Sequence, residues 1–163
     1  MKRVEQIVQL VNENPGIRYS EIMRETGLKN GVLSHHLSKI EQAGRIVIER
    51  TPRVARLYPC GMPQKETLVI KHLKNPTARK LLTTLLDGDF TFKELVNKVK
   101  KSQGTISLSL KSLCEVQIVE RKLDTGDLIF QLSSKDLLDS IIEKQPSFIE
   151  NTANNISDIF SSI

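Results

Sequence analysis

The sequence predicts a mainly α-helical chain with small β-hairpins, an α+β arrangement of two tandem units followed by a helical tail. Three observations carry this prediction. Residues 20–58 read as helix, short turn, helix and hairpin. The same order returns within residues 76–134. Past Ser133 the pattern turns helical and acidic, with no further hairpin.

Each element has a local cause. Residues 2–14 form a helix because Val4, Ile7, Val8 and Val11 make one stripe, with Leu10 at its edge. Pro15-Gly16 breaks it. Ile17-Arg18-Tyr19 is a short extended piece suited to a third strand beside the hairpin. Ser20 is expected to cap the next helix through its hydroxyl, with Glu21 near the positive end of the dipole. Gly27 ends that helix, and Asn30 is expected to cap the following one. There Leu33, Leu37 and Ile40 recur at four- and three-residue steps until Gly44. Residues 45–50 alternate, with Ile46 and Ile48 on one side, as a half-buried strand does. Thr51-Pro52-Arg53 turns the chain, residues 55–58 return, and Cys60-Gly61-Met62-Pro63 reads as linker.

The chain then begins again. Residues 66–74 form a short helix with Leu68, Val69, Ile70 and Leu73 apolar. After Pro76, residues 77–86 carry Ala78, Leu81, Leu82 and Leu85 on a helix ended by Asp87-Gly88-Asp89. Phe90-Thr91 leads into a short helix with Leu95, Val96 and Val99, and Lys100-Lys101 forms the turn. Ser102 caps a helix bearing Ile106, Leu110, Leu113 and Val116. Residues 118–122 and 128–132 pair around Asp124-Thr125-Gly126-Asp127. Ser134 caps a helix that runs to Lys144, with Leu137, Leu138, Ile141 and Ile142 apolar, and Gln145-Pro146 breaks it. Beyond that, Ile149, Ala153, Ile156, Phe160 and Ile163 repeat every three or four residues, a seam too short to stand alone. It needs a partner surface, either its own chain or a second copy. The expected organisation is a first unit at 1–60, a linker with a short helix at 61–75, a second unit at 76–134 and a tail at 135–163.

The two units are an internal repeat. Gly31-Val32-Leu33-Ser34-His35-His36-Leu37 matches Gly104-Thr105-Ile106-Ser107-Leu108-Ser109-Leu110, and Ile48-Glu49-Arg50 echoes Val119-Glu120-Arg121 after a small deletion.

Helix, turn, helix and hairpin is the order of a winged helix-turn-helix, whose second helix enters the DNA major groove. Here Lys29, Asn30, Gly31, Ser34, His35, Ser38 and Lys39 are the candidates for that contact. Arg50, Arg53 and Arg56 are placed at the hairpin for phosphates or a narrow minor groove. In the second unit the counterpart candidates are Lys100, Lys101, Gln103, Thr105 and Lys111. They sit beside Leu108, which cannot hydrogen-bond a base edge, and beside an acidic tip, Asp124 and Asp127, which phosphates repel.

The run Ser34-His35-His36-Leu37-Ser38-Lys39-Ile40-Glu41-Gln42-Ala43-Gly44 resembles the ArsR/MarR-type pattern Ser-x-His-Leu-x-x-Leu-x-x-Ala-Gly, with Ile40 replacing the second Leu. The resemblance covers about 40 residues, 20–58 of this chain. It implies that Ser34 and His35 lie at the groove and that His36 is semi-buried. The Cys-x-Cys motif of metal-sensing members is absent, so metal sensing is not implied. Taken through residue 134, the chain is similar to archaeal transcription regulators with two winged helices in tandem. In such families repression is the commoner role, exerted by steric occupation of DNA near a promoter.

Composition agrees with a double-stranded DNA partner. The net charge is +5 and the pI about 9.3. Residues 135–163 alone hold 2 Lys/Arg and 5 Asp/Glu, which suits a position away from DNA and, through Ile149, Ile156, Phe160 and Ile163, a homodimer contact. Cys60 and Cys114 stand alone, without Cys/His zinc spacing, and fit a reducing cytoplasm. No apolar run approaches a membrane span. No phosphate loop, Ser/His/Asp set or cofactor motif argues for an enzyme. The rival to a DNA-reading regulator is an interaction or chromatin-architectural module that joins transcription machinery and touches DNA weakly.

Overall fold

The computed structural model describes residues 2–145. The chain divides into two compact units, Met1–Thr67 and Leu68–Ile163. In the first, α1 (Lys2–Glu13) is followed by β1 (Ile17–Arg18), α2 (Tyr19–Thr26), α3 (Asn30–Gln42), β2 (Ile46–Arg50) and β3 (Ala55–Pro59). The strands form one antiparallel sheet in the order β1-β3-β2. α1 packs against α2, α3 and β3. Ile7, Val8, Val11, Ile17, Ile22, Leu33, Leu37, Ile40, Ile46 and Leu57 fill the core between them. Removing this aliphatic surface from water is the main force that holds short helices of 8 to 13 residues in place.

α4 (Gln64–Leu73) crosses the division between the units, and its Val69, Ile70 and Leu73 are buried. The second unit continues with α5 (Pro76–Leu86), β4 (Phe90–Thr91), α6 (Phe92–Val99), α7 (Gln103–Glu115), β5 (Val119–Asp124), β6 (Asp127–Leu132) and α8 (Lys135–Lys144). Its sheet order, β4-β6-β5, repeats that of the first. α5 packs against α6, α7 and β6, with Leu81, Leu82, Leu85, Leu95, Ile106, Leu110, Leu113, Val119 and Phe130 buried. α8 follows the second hairpin as α4 follows the first, and buries Leu138 and Ile141.

The repeat holds one constant offset from Ile17 and Phe90 through to Cys60 and Ser133, with no deletion. Equivalent hydrogen bonds show it. The Arg45 amide donates to the Ile40 carbonyl and the Ile118 amide to the Leu113 carbonyl. Cys60 and Ser133 close the hairpins onto Arg45 and Ile118. Ile46 therefore corresponds to Val119, both buried, and the sequence pairing of Ile48 with Val119 is corrected by two residues. It went astray because Gln117 stands where Gly44 stands, both at positive φ, so the turn carries no shared letter.

Two expected caps are also corrected. α2 begins at Tyr19, so Ser20 lies inside it; the Arg18 amide at its start donates instead to Glu21 Oε1 at 3.0 Å. α3 begins at Asn30, with Lys29 in the cap position and no side-chain cap bond. The caps expected at Ser102 and Ser134 are present: each Oγ accepts an amide three residues on, at 3.2 Å.

Candidate nucleic-acid interface

α3 has two faces because its apolar residues fall on one stripe. Leu33, Leu37 and Ile40 are buried, and this turns Asn30, Gly31, Ser34, His35, Ser38 and Lys39 outward, all exposed. Lys29 is exposed just before the helix, and His36 is half-buried between the two faces. A Cβ built on Gly31 would meet nothing within 4 Å, so this corner is open to a close approach. The outward row offers hydroxyl, imidazole, amide and ammonium groups along about two turns of helix, the stretch a recognition helix presents to base edges.

Tyr19 fixes the start of that row. Its hydroxyl donates to the Asn30 carbonyl at 2.8 Å and also lies against the Asn30 side-chain oxygen. Partial burial raises the phenol pKa above its ordinary value. Tyr19, expected to be extended, is the first residue of α2; the signal for its role is its counterpart at the repeat offset, Phe92, an aromatic ring without the hydroxyl.

The three wing arginines do three different things. Arg53 is exposed in the turn, which Thr51 and Val54 close with a 3.0 Å backbone bond. Arg50 donates to both oxygens of Glu41, each at 3.1 Å, and so ties the wing to the side of α3. That pairing holds the Glu41 carboxyl below the usual carboxylate range. Arg56 overturns the expectation that it reaches DNA. It sits on the central strand, opposite Arg18 on one side and Glu49 on the other, and only 9% of it is exposed. Its guanidinium donates to the Gly16 carbonyl at 2.9 Å, anchoring the turn before β1. Burial, then the neighbouring Arg18, lower its pKa from the usual arginine value. A second ion pair, Arg45 to Glu5 at 2.9 Å, links the start of the hairpin to α1.

The second unit presents a different surface on the same backbone. Lys100, Lys101, Gln103, Thr105 and Lys111 are all exposed. Thr105 Oγ1 accepts from the Ser102 hydroxyl at 2.8 Å, so it is already engaged locally. Leu108 is 71% exposed on α7, and Leu123 and Leu128 face each other across the wing at 76% and 45%. Asp124 and Asp127 are exposed at the tip, as read from the sequence. Ile149, Ile156, Phe160 and Ile163 lie outside the described residues. Among the described residues there is no cluster of three or more His, Cys, Asp or Glu side chains able to hold a metal, and no helix long and apolar enough to cross a membrane.

Two winged helix-turn-helix units, one with a polar recognition helix, define a DNA-binding class of protein. The family profile described as "Bacterial regulatory protein, arsR family" matches the chain twice, at residues 2–46 and 75–121. The chain belongs to this family and is a winged-helix, DNA-binding transcription regulator carrying the family unit in tandem. Solved structures similar to it include the transcriptional repressor BigR from Xylella fastidiosa, at 24% identity over 49% of this chain and 90% of that one, with a TM-score of 0.41. HlyU from Vibrio cholerae is 24% identical over 49% and 90%, with a TM-score of 0.43. The reduced form of the transcriptional regulator YodB from B. subtilis is 26% identical over 56% and 89%, also at 0.43. No curated protein matches the sequence.

Proposed function

We propose that the chain is a sequence-specific repressor that binds duplex DNA as a homodimer and reads it through α3 of the first unit. The observation that supports this is the outward row of α3, hydrogen-bonding along its length, against a leucine at the matching place on α7. Asn30, Ser34, His35 and Lys39 read base edges, and Ser38 supports them. Lys29 and Arg53 take phosphates, and Gly31 lets the backbone come close. Lys100, Lys101 and Gln103 add backbone contacts of lower specificity. Occupied DNA then excludes polymerase by its bulk.

Fluorescence anisotropy with genomic fragments at two salt concentrations tests this. One fragment bound tightly in the presence of competitor DNA supports it. Sequence-blind, salt-sensitive binding would replace it with an architectural role. The dimer rests on the sequence of the tail. Sedimentation equilibrium is expected to give a dimer, and Ile156→Asp with Phe160→Asp a monomer; a monomeric wild type overturns it. A second reading has its own observation. The exposed Leu108, Leu123 and Leu128 favour a protein-interaction role for the second unit, with the first still on DNA.

A further inference from the structure

Recognition helix and wing are joined by an ion pair in one unit and not in the other. In the first unit, Glu41 on α3 and Arg50 on β2 form this bridge with two hydrogen bonds. At the equivalent positions the second unit carries Cys114 and Leu123, which cannot form that bridge. A cavity of about 450 Å³ lies beside α7 there. Phe92, Leu110, Cys114 and Phe130 line its apolar part, and Lys111 and Arg121 stand along it as exposed cations. Glu115 also lines it, yet it pairs with neither cation: among the described residues no carboxylate lies within ion-pair distance of Lys111 or Arg121. Two cations against one carboxylate leave the groove positive over an apolar floor.

We propose that this groove is a binding site for a small amphipathic anion, an aromatic monocarboxylate whose ring packs on Phe92 and Phe130 and whose carboxylate is held by Lys111 and Arg121. The size fits: small-molecule sites span roughly 300–1,000 Å³ and combine apolar walls with a few placed polar groups. The aromatic walls favour a ring over a bare inorganic anion, because offset and edge-to-face packing adds to area burial. A guanidinium can take both carboxylate oxygens in one plane, and the ammonium supplies a second charge. A phosphate of duplex DNA would use the two cations and leave the apolar floor empty. That difference separates an effector site from a backbone contact. The occupant would sit between the recognition helix and the wing of the second unit, where it sets their spacing.

The test uses the full chain without DNA, so its failure is separate from any failure of DNA reading. 2-Naphthoate is titrated calorimetrically, with 2-naphthol, acetate and inorganic phosphate as comparisons. Binding of 2-naphthoate is expected to exceed that of each comparison by at least about tenfold, the size of a charge-assisted hydrogen bond or of a buried ring. Lys111→Gln with Arg121→Gln, both exposed and therefore expected to fold, is expected to weaken it by at least about tenfold. Saturating 2-naphthoate is also expected to slow alkylation of Cys114 and to leave the exposed Cys60 unchanged. Absent binding, equal affinity for phosphate, an unaffected double variant, or equal protection of both cysteines would overturn the site.

Discussion

On α3 the outward positions include Asn30, Ser34, His35 and Ser38; at the same offset α7 carries Gln103, Ser107, Leu108 and Lys111. The scaffolds beneath them correspond residue by residue, from the first strand of each unit to the bond that closes each hairpin. What changes is the chemistry laid on that backbone. The first unit places an imidazole at the centre of its row and ties its wing down with an ion pair. The second places a leucine there, leaves two more leucines bare on its wing and has a groove beside α7. A duplicated fold keeps its buried stripe because the core demands it, whereas the outward face is free to take a second task.

The largest expected effect tests whether reading is confined to the first unit. Ser34→Ala with His35→Ala is expected to cost about 10–100-fold in affinity for the preferred fragment, since a good base contact contributes about 1–3 kcal/mol of discrimination. Leu108→Ala is expected to change it by less than about twofold. Anisotropy titrations on the same fragment decide. A Leu108→Ala protein that folds and no longer binds would make the second unit a reader.

The next effect separates arginines that looked alike in the sequence. Arg56→Ala is expected to destabilise the first unit by about 1–3 kcal/mol, because it strips a buried carbonyl of its charged donor. Its counterpart at the repeat offset is Ile129, so the second unit fills this place with hydrocarbon. Arg53→Ala is expected to leave the denaturation midpoint unchanged and to lower the slope of log affinity against log salt by about one. The assignment fails if Arg56→Ala keeps full stability and flattens the salt slope instead.

These arginines mark where sequence patterns stop informing. The buried stripes of α1, α3, α5 and α7 were legible because each is periodic over a whole helix. The hairpins were legible from alternation and turn residues. Arg56 was not, because strand alternation places it on the outer face while its partner, the Gly16 carbonyl, is forty residues away in the chain. The missed bridge from Arg50 to Glu41 is of the same kind: it joins a strand to a helix that periodicity treats separately. The capping roles given to Ser20 and Asn30 failed because α2 starts two residues, and α3 one residue, before the expected first residue, shifts of the size at which such boundaries are least certain. Of the outward row on α3, every residue named from the sequence is exposed, since burial of Leu33, Leu37 and Ile40 dictates it.

A smaller effect converts one unit toward the other. Tyr19→Phe copies Phe92 and removes the hydroxyl that holds Asn30. The exposed hydrogen bond contributes about 1 kcal/mol, so affinity for the preferred fragment is expected to fall about fivefold. The fall should vanish on a background of Asn30→Ala if the hydroxyl acts through the Asn30 side chain. A full loss on that background as well would mean that the hydroxyl acts through its bond to the residue 30 carbonyl, which Ala retains and which fixes the start of α3, or on DNA itself.

The smallest effect concerns the turn that hid the repeat. Gly44 has φ of 73° and Gln117, its counterpart, has φ of 63°. A left-handed backbone costs a residue with a Cβ roughly 1–2 kcal/mol, while a glycine loses more freedom on folding, by roughly 0.5–1 kcal/mol. The two terms partly cancel and leave a net preference for glycine of about 0.5–1 kcal/mol. No atom lies within 4 Å of a Cβ built on Gly44, so Gly44→Ala isolates this backbone cost from any clash. Gln117 is exposed, so Gln117→Gly removes little packing. Gly44→Ala is therefore expected to lower protection against amide exchange in the first unit, and Gln117→Gly to raise it in the second, each by about two- to fivefold. If Gln117→Gly lowers protection, its side chain stabilises the second turn by more than the strain costs, and the two turns are equal in shape but not in energy.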